Sequence, residues 1–497
     1  MRRYIKENLL YTLKEAKRLN IELMKLSEDF YYQQVQDALA IEQESIIKIG
    51  NRVEELGDNQ DIVTQLEDYC ELIWQCSIAK GVEQLKLYKC LNQKIEQIEE
   101  MVISSKEKYE IVFLPYKASM WDSLESVWRI ASKDIECNCY VIPIPYYDKN
   151  SDGTLGKMHY EGDEFPEDVP ITSYKDYNFE KNHPDVIFYH NPYDQYNKVT
   201  SIHPDFYTSN IYKYTDMLIY IPYFIAGYYA SVDSAGYACL MMSTIFTDYF
   251  IVQSEKQKQL YLKNGIKEEK LIVLGSPKAD AVKYYLAKVE IPRQWSDKLK
   301  NKKVFLLNSS ISRILNEPNW LEEVKKIVNV FVEKQDIVLI WRPHPLLLET
   351  IDAMQPEKRK EYQEIYNIIS SMTNAIIDEE TSVYAAMKCA DALISDYSSI
   401  VMQFSLTGKP VLMLVGKEEF RRTKEVCFDY FSNYFVRDGI TVEAFCNMIK
   451  EGKDEKKDER QKNIRKSIVN IDGQCGIEVF KWLKEKLHRG KSSDGSN

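Results

Sequence analysis

The chain has 497 residues, 44% of them hydrophobic, and a formal net charge of −11. That length exceeds what one hydrophobic core usually spans, so two or three domains are expected. The acidic balance argues against a nucleic-acid binder, which would carry a basic domain or stripe. No apolar run is long enough to cross a bilayer and no leader-like segment follows Met1-Arg2-Arg3, which reads as a cytosolic protein. Ten Cys without Cys-x-x-Cys pairs read as reduced thiols, Cys137 and Cys139 being too close for a disulfide and too isolated for zinc. Six scattered His form no ligand cluster, so no structural metal is expected.

Residues 1–106 carry helical periodicity. Leu39, Ile46, Ile47, Ile49 and Val53 recur at three- and four-residue spacing, and Gly57-Asp58-Asn59 breaks one helix before the next. Further helices are predicted over 66–79 and 82–103, giving an all-α N-terminal region that reads as a platform for homo-oligomerisation. Arg2, Arg3, Lys6, Lys14, Lys17 and Arg18 suggest a membrane surface, but the interleaved Glu favour a solvated helix face.

At Glu110 the pattern changes to short apolar runs alternating with loops and helices. Strands are predicted at 111–115, 139–143, 185–189, 217–221, 249–252 and 271–274, with a helix over 123–132, the form of a doubly wound parallel sheet across 107–290. After a Pro-containing linker at 290–295, a second set follows at 303–307, 336–340, 375–377, 392–394 and 410–415, defining a domain over 291–489. A polar tail, 490–497, has no core to join and reads as disordered. Two Rossmann-like domains in tandem, preceded by helices, describe the GT-B arrangement, in which donor and acceptor meet in the cleft between lobes.

Two segments at strand ends carry the chemistry: Trp341-Arg342-Pro343-His344-Pro345 and Ser395-Asp396-Tyr397-Ser398-Ser399. Ligands of open α/β sheets bind at this edge. Arg342 supplies a fork of donors, His344 a ring nitrogen, and Ser398 and Ser399 hydroxyls and backbone N–H groups at a helix start, which suits a nucleotide diphosphate. The plainer alternative is a rigid strand exit and an ordinary N-cap. Asn308, Ser309 and Ser310, with Arg313 behind them, form another strand-to-helix turn of this kind. Gly275-Ser276-Pro277-Lys278 lies near the hinge, where Lys278 is within reach of a phosphate or is simply solvated. The 35 Tyr, many between Tyr140 and Tyr229, read either as the lining of a polyol acceptor groove or as half-buried packing.

Taken together, Gly275 to Lys278, Trp341 to Pro345, Ser395 to Ser399, Gly408-Lys409-Pro410 and Asp472-Gly473 occur in an order and spacing that resembles the CDP-glycerol glycerophosphotransferase family of teichoic-acid polymerases and primases. The resemblance covers residues 245–485 well and 109–245 only in layout. It implies transfer of glycerol phosphate, or ribitol phosphate, from a CDP-activated donor to a hydroxyl of a lipid- or glycan-linked envelope acceptor, releasing CMP. His344 would then contact the donor phosphates beside Arg342, and Ser398 and Ser399, in the motif that includes Ser395 and Asp396, would hold the pyrophosphate. No metal or other cofactor is implied, and the protein would work in the cytoplasm or at the inner face of the plasma membrane.

Two departures stand out. The family's His-Gly motif in the first domain is replaced by Tyr220-Ile221-Pro222-Tyr223-Phe224, and an acidic residue usual four positions after the double serine is Gln403. A catalytic base must therefore come from elsewhere. His190 after the strand 185–189 is the first candidate, Asp122 the second and Asp194 the third, while His159 reads as a surface residue or an acceptor contact. A nucleotide-sugar glycosyltransferase and a donor-binding protein without turnover are the competing readings.

Overall fold

The computed structural model describes residues 1–497 except 26–31, 58, 151, 198, 227, 230–240, 311–312, 314–316, 333, 345–346, 381, 418–425, 428–430 and 494–497. The chain begins with four helices, α1 (Arg3–Leu23), α2 (Tyr32–Glu55), α3 (Gln60–Ile78) and α4 (Gly81–Ser104). Their apolar stripes close on one another, with Leu9, Leu13, Ile46, Val53, Leu66, Tyr69, Leu91 and Ile95 buried together. Gly57 and Asn59 adopt positive φ between α2 and α3, so the break falls where the sequence places it. One polar cluster sits in this apolar core. The Glu42 carboxylate accepts from the Tyr69 hydroxyl and, at 3.3 Å, from Asn20 Nδ2, and burial pushes it up to about 7.

The basic N-terminus divides: Lys14 and Arg18 lie on an exposed helix face, as the interleaved Glu suggest, whereas Arg2, Arg3 and Lys6 turn inward. Arg2 pairs with Glu110 at 2.8 Å, both side chains buried, and its NH2 donates to the Asn182 carbonyl. Arg3 pairs with Asp185 at 2.6 Å, and Lys6 donates to the Ile103 and Ser105 carbonyls. Asp185 also accepts from the Glu110 N–H at 2.7 Å. The first residues thus clamp the helical region onto the N-terminal ends of the neighbouring strands, and burial is possible because each charge has a partner.

Ten strands follow among the described residues: β1 (Tyr109–Leu114), β2 (Cys137–Val141), β3 (Tyr146–Lys149), β4 (Leu155–His159), β5 (Val186–Tyr189), β6 (Thr200–Ile202), β7 (Met217–Tyr220), β8 (Tyr228–Tyr229), β9 (Tyr249–Val252) and β10 (Leu271–Val273). Six pair in parallel in the order β10-β9-β7-β5-β1-β2, and β4-β3-β6 form a separate antiparallel sheet. Both faces of the parallel sheet are covered. Ile111, Phe113, Val186 and Phe188 enter one core, while Val112, Leu114, Ile187 and Tyr189 enter the other.

The second lobe contains β11 (Lys303–Ser309), β12 (Ile337–Pro343), β13 (Ala375–Ile377), β14 (Ala392–Ser395), β15 (Val411–Met413), β16 (Val426–Cys427) and β17 (Tyr434–Phe435). Six of these pair in parallel in the order β13-β12-β11-β14-β15-β17, and β16 pairs with β8 of the first lobe. Phe305 and Leu307 face one core, Val304 and Leu306 the other. Every strand predicted from the sequence is present. The antiparallel insert, β17 and the β8–β16 pair are additional.

The terminal helix departs from expectation. It runs Cys475–Ser493, so the tail expected from Gly490 is helical over its first four residues, and 494–497 lie outside the described residues. Cys475, Val479, Leu483 and Leu487 are buried in the core of the first lobe with Tyr109, Trp121 and Leu124. Asp280 accepts from the Cys475 and Gly476 N–H groups at 3.2 and 2.7 Å, a carboxylate at the positive end of the helix. A Cβ on Gly476 would lie 2.6 Å from the backbone of Ser126.

Gly275, expected near the hinge and a donor, is required by the backbone. Its φ is +101°, and a Cβ there would collide with the Val469 carbonyl oxygen. Gly275→Ala should lower the unfolding free energy by about 1–3 kcal/mol, read as a lowered midpoint in thermal denaturation.

Candidate functional site

In the second sheet the chain moves from β11 outward to β12 and β13 and then returns past β11 to β14, so the crevice between β11 and β14 is the topological switch point. The apolar strands end there in polar residues. Asn308 Nδ2 donates to Ser395 Oγ at 3.0 Å, Ser310 donates to Asp396 Oδ2 through N (3.2 Å) and Oγ (2.7 Å), and Trp341 Nε1 donates to Ser309 Oγ at 3.2 Å. Ser395 and Asp396 are 0% exposed. Asn308, Ser309, Ser395 and Asp396, expected to contact a donor, are therefore buried cross-strand ties that fix the loops. Ser310 and Ser398 are half-buried, and Ser399 and His344 are exposed.

Arg342 is also buried, with NH1 on Asp378 Oδ2 at 2.6 Å. The carboxylate orients the guanidinium while its charge remains beside His344. The backbone N–H of His344 donates to the Ser309 carbonyl at 3.1 Å, which fixes where β12 ends. Partial desolvation of the ring, and then the Arg342 cation, hold the His344 imidazole below its usual pKa, so it is neutral at pH 7. Ser398 caps the helix Ser399–Ser405, accepting from the Ile400 N–H. Arg313 lies apart from this group. It donates to the Leu414 carbonyl at 2.7 Å and stacks 4.8 Å over Trp320. Of Gly408-Lys409-Pro410, Lys409 donates to the Met387, Lys388 and Ala390 carbonyls, a cation at the end of the helix Tyr384–Cys389.

The first sheet has its own switch point, between β1 and β5, and His190 follows β5 there. It is 0% exposed, and both ring nitrogens are engaged: Nε2 accepts from the Tyr116 N–H and Nδ1 meets Ser123 Oγ, each at 2.9 Å. Burial, and then the Lys278 cation, push its pKa down to about 3. A base needs a lone pair within reach of a substrate proton, and this ring has none to offer. The role expected of His190 gives way to a structural one, locking the β1 and β5 loops together.

Asp122 is committed as well. Lys278 Nζ meets its two oxygens at 2.6 and 2.8 Å, and the Tyr384 hydroxyl donates at 3.0 Å. Lys278 leads into the helix Pro277–Lys288 and is neither solvated nor open to a phosphate; Ser276 beside it is buried. Tyr384 stacks on Tyr285, whose hydroxyl donates to Glu125 at 2.6 Å. Asp194, the third candidate base, is buried and accepts from Thr208 N and Oγ at 3.0 and 2.6 Å, and burial pushes it up to about 6. The tyrosines divide. Tyr146, Tyr177, Tyr189 and Tyr220 are core residues, whereas Tyr160, Tyr196 and Tyr212 are exposed.

The two doubly wound lobes and their crevices define the GT-B class. Its fold is shared by a Listeria monocytogenes protein described as a UDP-N-acetylglucosamine 2-epimerase, with a TM-score of 0.50 at 14% identity over 77% of this chain and 97% of that one. A wall teichoic acid polymerase, TagF, superposes with a TM-score of 0.46 at 11% identity over 85% of this chain and 99% of that one, too distant to bear on chemistry. Residues 239–474 match the family described as CDP-Glycerol:Poly(glycerophosphate) glycerophosphotransferase. The teichoic acid glycerol-phosphate primase of Bacillus subtilis (strain 168) is 28% identical over 167 residues, 33% of this chain and 39% of that relative. Residues 239–474, just under half of the chain, are thus similar to this family, and the chain spans about two fifths of the length of the curated relative it matches.

The contact of Asp122 with Lys278 and Tyr384 yields a direct prediction. Lys278→Met should strand a nearly buried carboxylate and cost about 3–5 kcal/mol, and adding Asp122→Asn should restore more than half of the loss, as read by urea denaturation of the single and double variants.

Proposed function

We propose that the protein transfers glycerol phosphate, or a related phosphoalditol, from a CDP-activated donor to a hydroxyl on a lipid- or glycan-linked acceptor of the cell envelope, releasing CMP. The observation that carries this reading is the exposed, neutral His344 beside the buried Arg342–Asp378 pair, within the region that matches the family. In the transfer, the acceptor oxygen forms a bond to the phosphorus of the alditol phosphate. The bond from that phosphorus to the bridging oxygen breaks, and its electron pair leaves on CMP. Negative charge grows on the departing phosphate, so a ring N–H from His344 and the field of Arg342, both held in place beforehand, lower the barrier. Ser398 and Ser399 line the same edge with hydroxyl and backbone donors, while Ser310 keeps its N–H and hydroxyl on Asp396.

The donor is a substrate rather than a resident cofactor, and we assign the charge neutralisation to these side chains without a divalent ion. No helix among the described residues is long and apolar enough to cross a membrane. Work at the inner membrane face on a lipid-linked acceptor would then be peripheral, with the helical region as platform and self-association surface.

His344 sets the pH dependence. An anionic diphosphate placed against the ring raises a pKa that starts below the usual histidine value, so binding takes up protons. Affinity should therefore fall as pH rises through the bound-state pKa. Calorimetric titration with CDP-glycerol, CDP-ribitol, UDP-glucose and CMP, in buffers of different ionisation enthalpy, should show one CDP-alditol binding with proton uptake. His344→Ala should weaken that binding about tenfold or more, a loss of at least about 1.4 kcal/mol, and abolish the uptake. Binding of the UDP-sugar alone would leave the fold standing and reject the donor.

A further inference from the structure

A second histidine stands at the edge of the first sheet with a different environment from His190. After β2, residues Ile142 and Ile144 donate to the Phe113 and Pro115 carbonyls, so the chain continues beside β1 past its C-terminal end before β3 begins. Tyr146, the first residue of β3, thus lies beyond the sheet edge and packs edge-on against Tyr116, 5.1 Å between centroids. The β3–β4 register sets His159 opposite Tyr146, and the rings stack at 5.1 Å. A register shift between Tyr147 and Lys149 interrupts the ladder around Asp148, whose Oδ2 meets His159 Nε2 at 2.7 Å.

The histidine is oriented but not sealed. Its side chain is 29% exposed, and Nδ1 has no hydrogen-bond partner among the described residues. Tyr146 donates to Glu161 Oε1 at 2.6 Å, and Glu161 Oε2 accepts from the Ala118 N–H at 2.9 Å. Lys117, which forms no ion pair among the described residues, lies 4.7 Å over the Tyr146 ring. Ala118 opens the short 3-10 helix Ala118–Ser123 that carries Asp122 to Tyr384 of the second lobe, a span of about 8 Å at the 3-10 rise. The His159–Asp148 pair is therefore fixed to the same loop that touches the donor lobe.

We propose that His159, held by Asp148, is the general base for the acceptor hydroxyl, an inference that rests on the transferase reading above. With the proton on Nε2 shared toward the carboxylate, the Nδ1 lone pair takes the proton of the attacking hydroxyl. The acceptor oxygen forms its bond to phosphorus as the bond to CMP breaks, and Asp148 stabilises the imidazolium until it loses the proton to solvent. Asp148 is a positioning residue; His159 is the one that meets substrate.

The test uses the full-length protein with CDP-glycerol, or whichever CDP-alditol it binds, and a glycerol-phosphate-terminated lipid acceptor. His159→Ala should lower kcat about 100-fold or more with donor affinity unchanged by calorimetry, and added imidazole should restore part of the rate. Asp148→Asn should lower kcat with little change in KM, and His159→Gln serves as a second variant if the alanine form misfolds. Wild-type turnover with His159→Ala or His159→Gln within about threefold of it, or a loss that imidazole does not touch, would overturn the assignment alone. A wild type that turns over no CDP-alditol would overturn the transferase reading and this inference with it.

Discussion

The contact among Asp122, Lys278 and Tyr384 determines what the two sheets can do together. Asp122 follows β1, and Tyr384 follows β13; each lies just past the C-terminal end of a strand, one in each lobe. Their hydrogen bond therefore brings the two ligand-binding edges to the same side of the molecule. Lys278, on the helix that leaves β10, supplies the charge that makes burying Asp122 tolerable. A nearly buried pair of this kind adds little net stability compared with apolar packing, but a broken one is costly, so its main effect is to specify one arrangement. The terminal helix adds a second tie, since Asp280 caps it and its apolar face fills the core of the first lobe.

Around that arrangement the polar residues separate into those that shape the crevices and those left at their surface. Asn308, Ser309, Ser395 and Asp396 tie strand ends together, His190 joins the β1 and β5 loops, and Asp378 orients Arg342. His344, Ser398 and Ser399 lie nearer the surface of that edge, where the proposed donor would meet them, backed by the Arg342 cation that Asp378 holds in place. Preorganised donors lower a barrier without reorganising during the reaction, and a rigid inner layer is what supplies that preorganisation.

Much of the fold was legible because a parallel sheet covered on both faces demands continuous apolar runs, as in Ile111 to Leu114 and Val304 to Leu307. The insert of β3, β4 and β6 was not, because β4 is largely exposed and carries no apolar run. Site residues were legible as types and positions but not as burial states. Ser395 and Ser399 look alike in the sequence, and only the sheet decides that one is sealed and the other open. The partners of Arg2, Asp122 and Lys278 lie far away in the chain, 156 residues in the case of Asp122 and Lys278, and no local pattern announces them. His159 stands opposite Tyr146 in the β3–β4 register and meets Asp148 only where that register shifts, which no local pattern announces.

The most direct test of the account is a crystal structure of the protein with CDP-glycerol or a non-transferable analogue. The diphosphate should lie at the C-terminal edge of β11, β12 and β14, within hydrogen-bond distance of His344 and of Ser398 or Ser399, with the Arg342–Asp378 pair intact behind it. A nucleotide bound elsewhere, for example in the groove lined by Lys283, Leu286, Gly408 and Ile471, would contradict the placement of the donor site and the mechanism built on it.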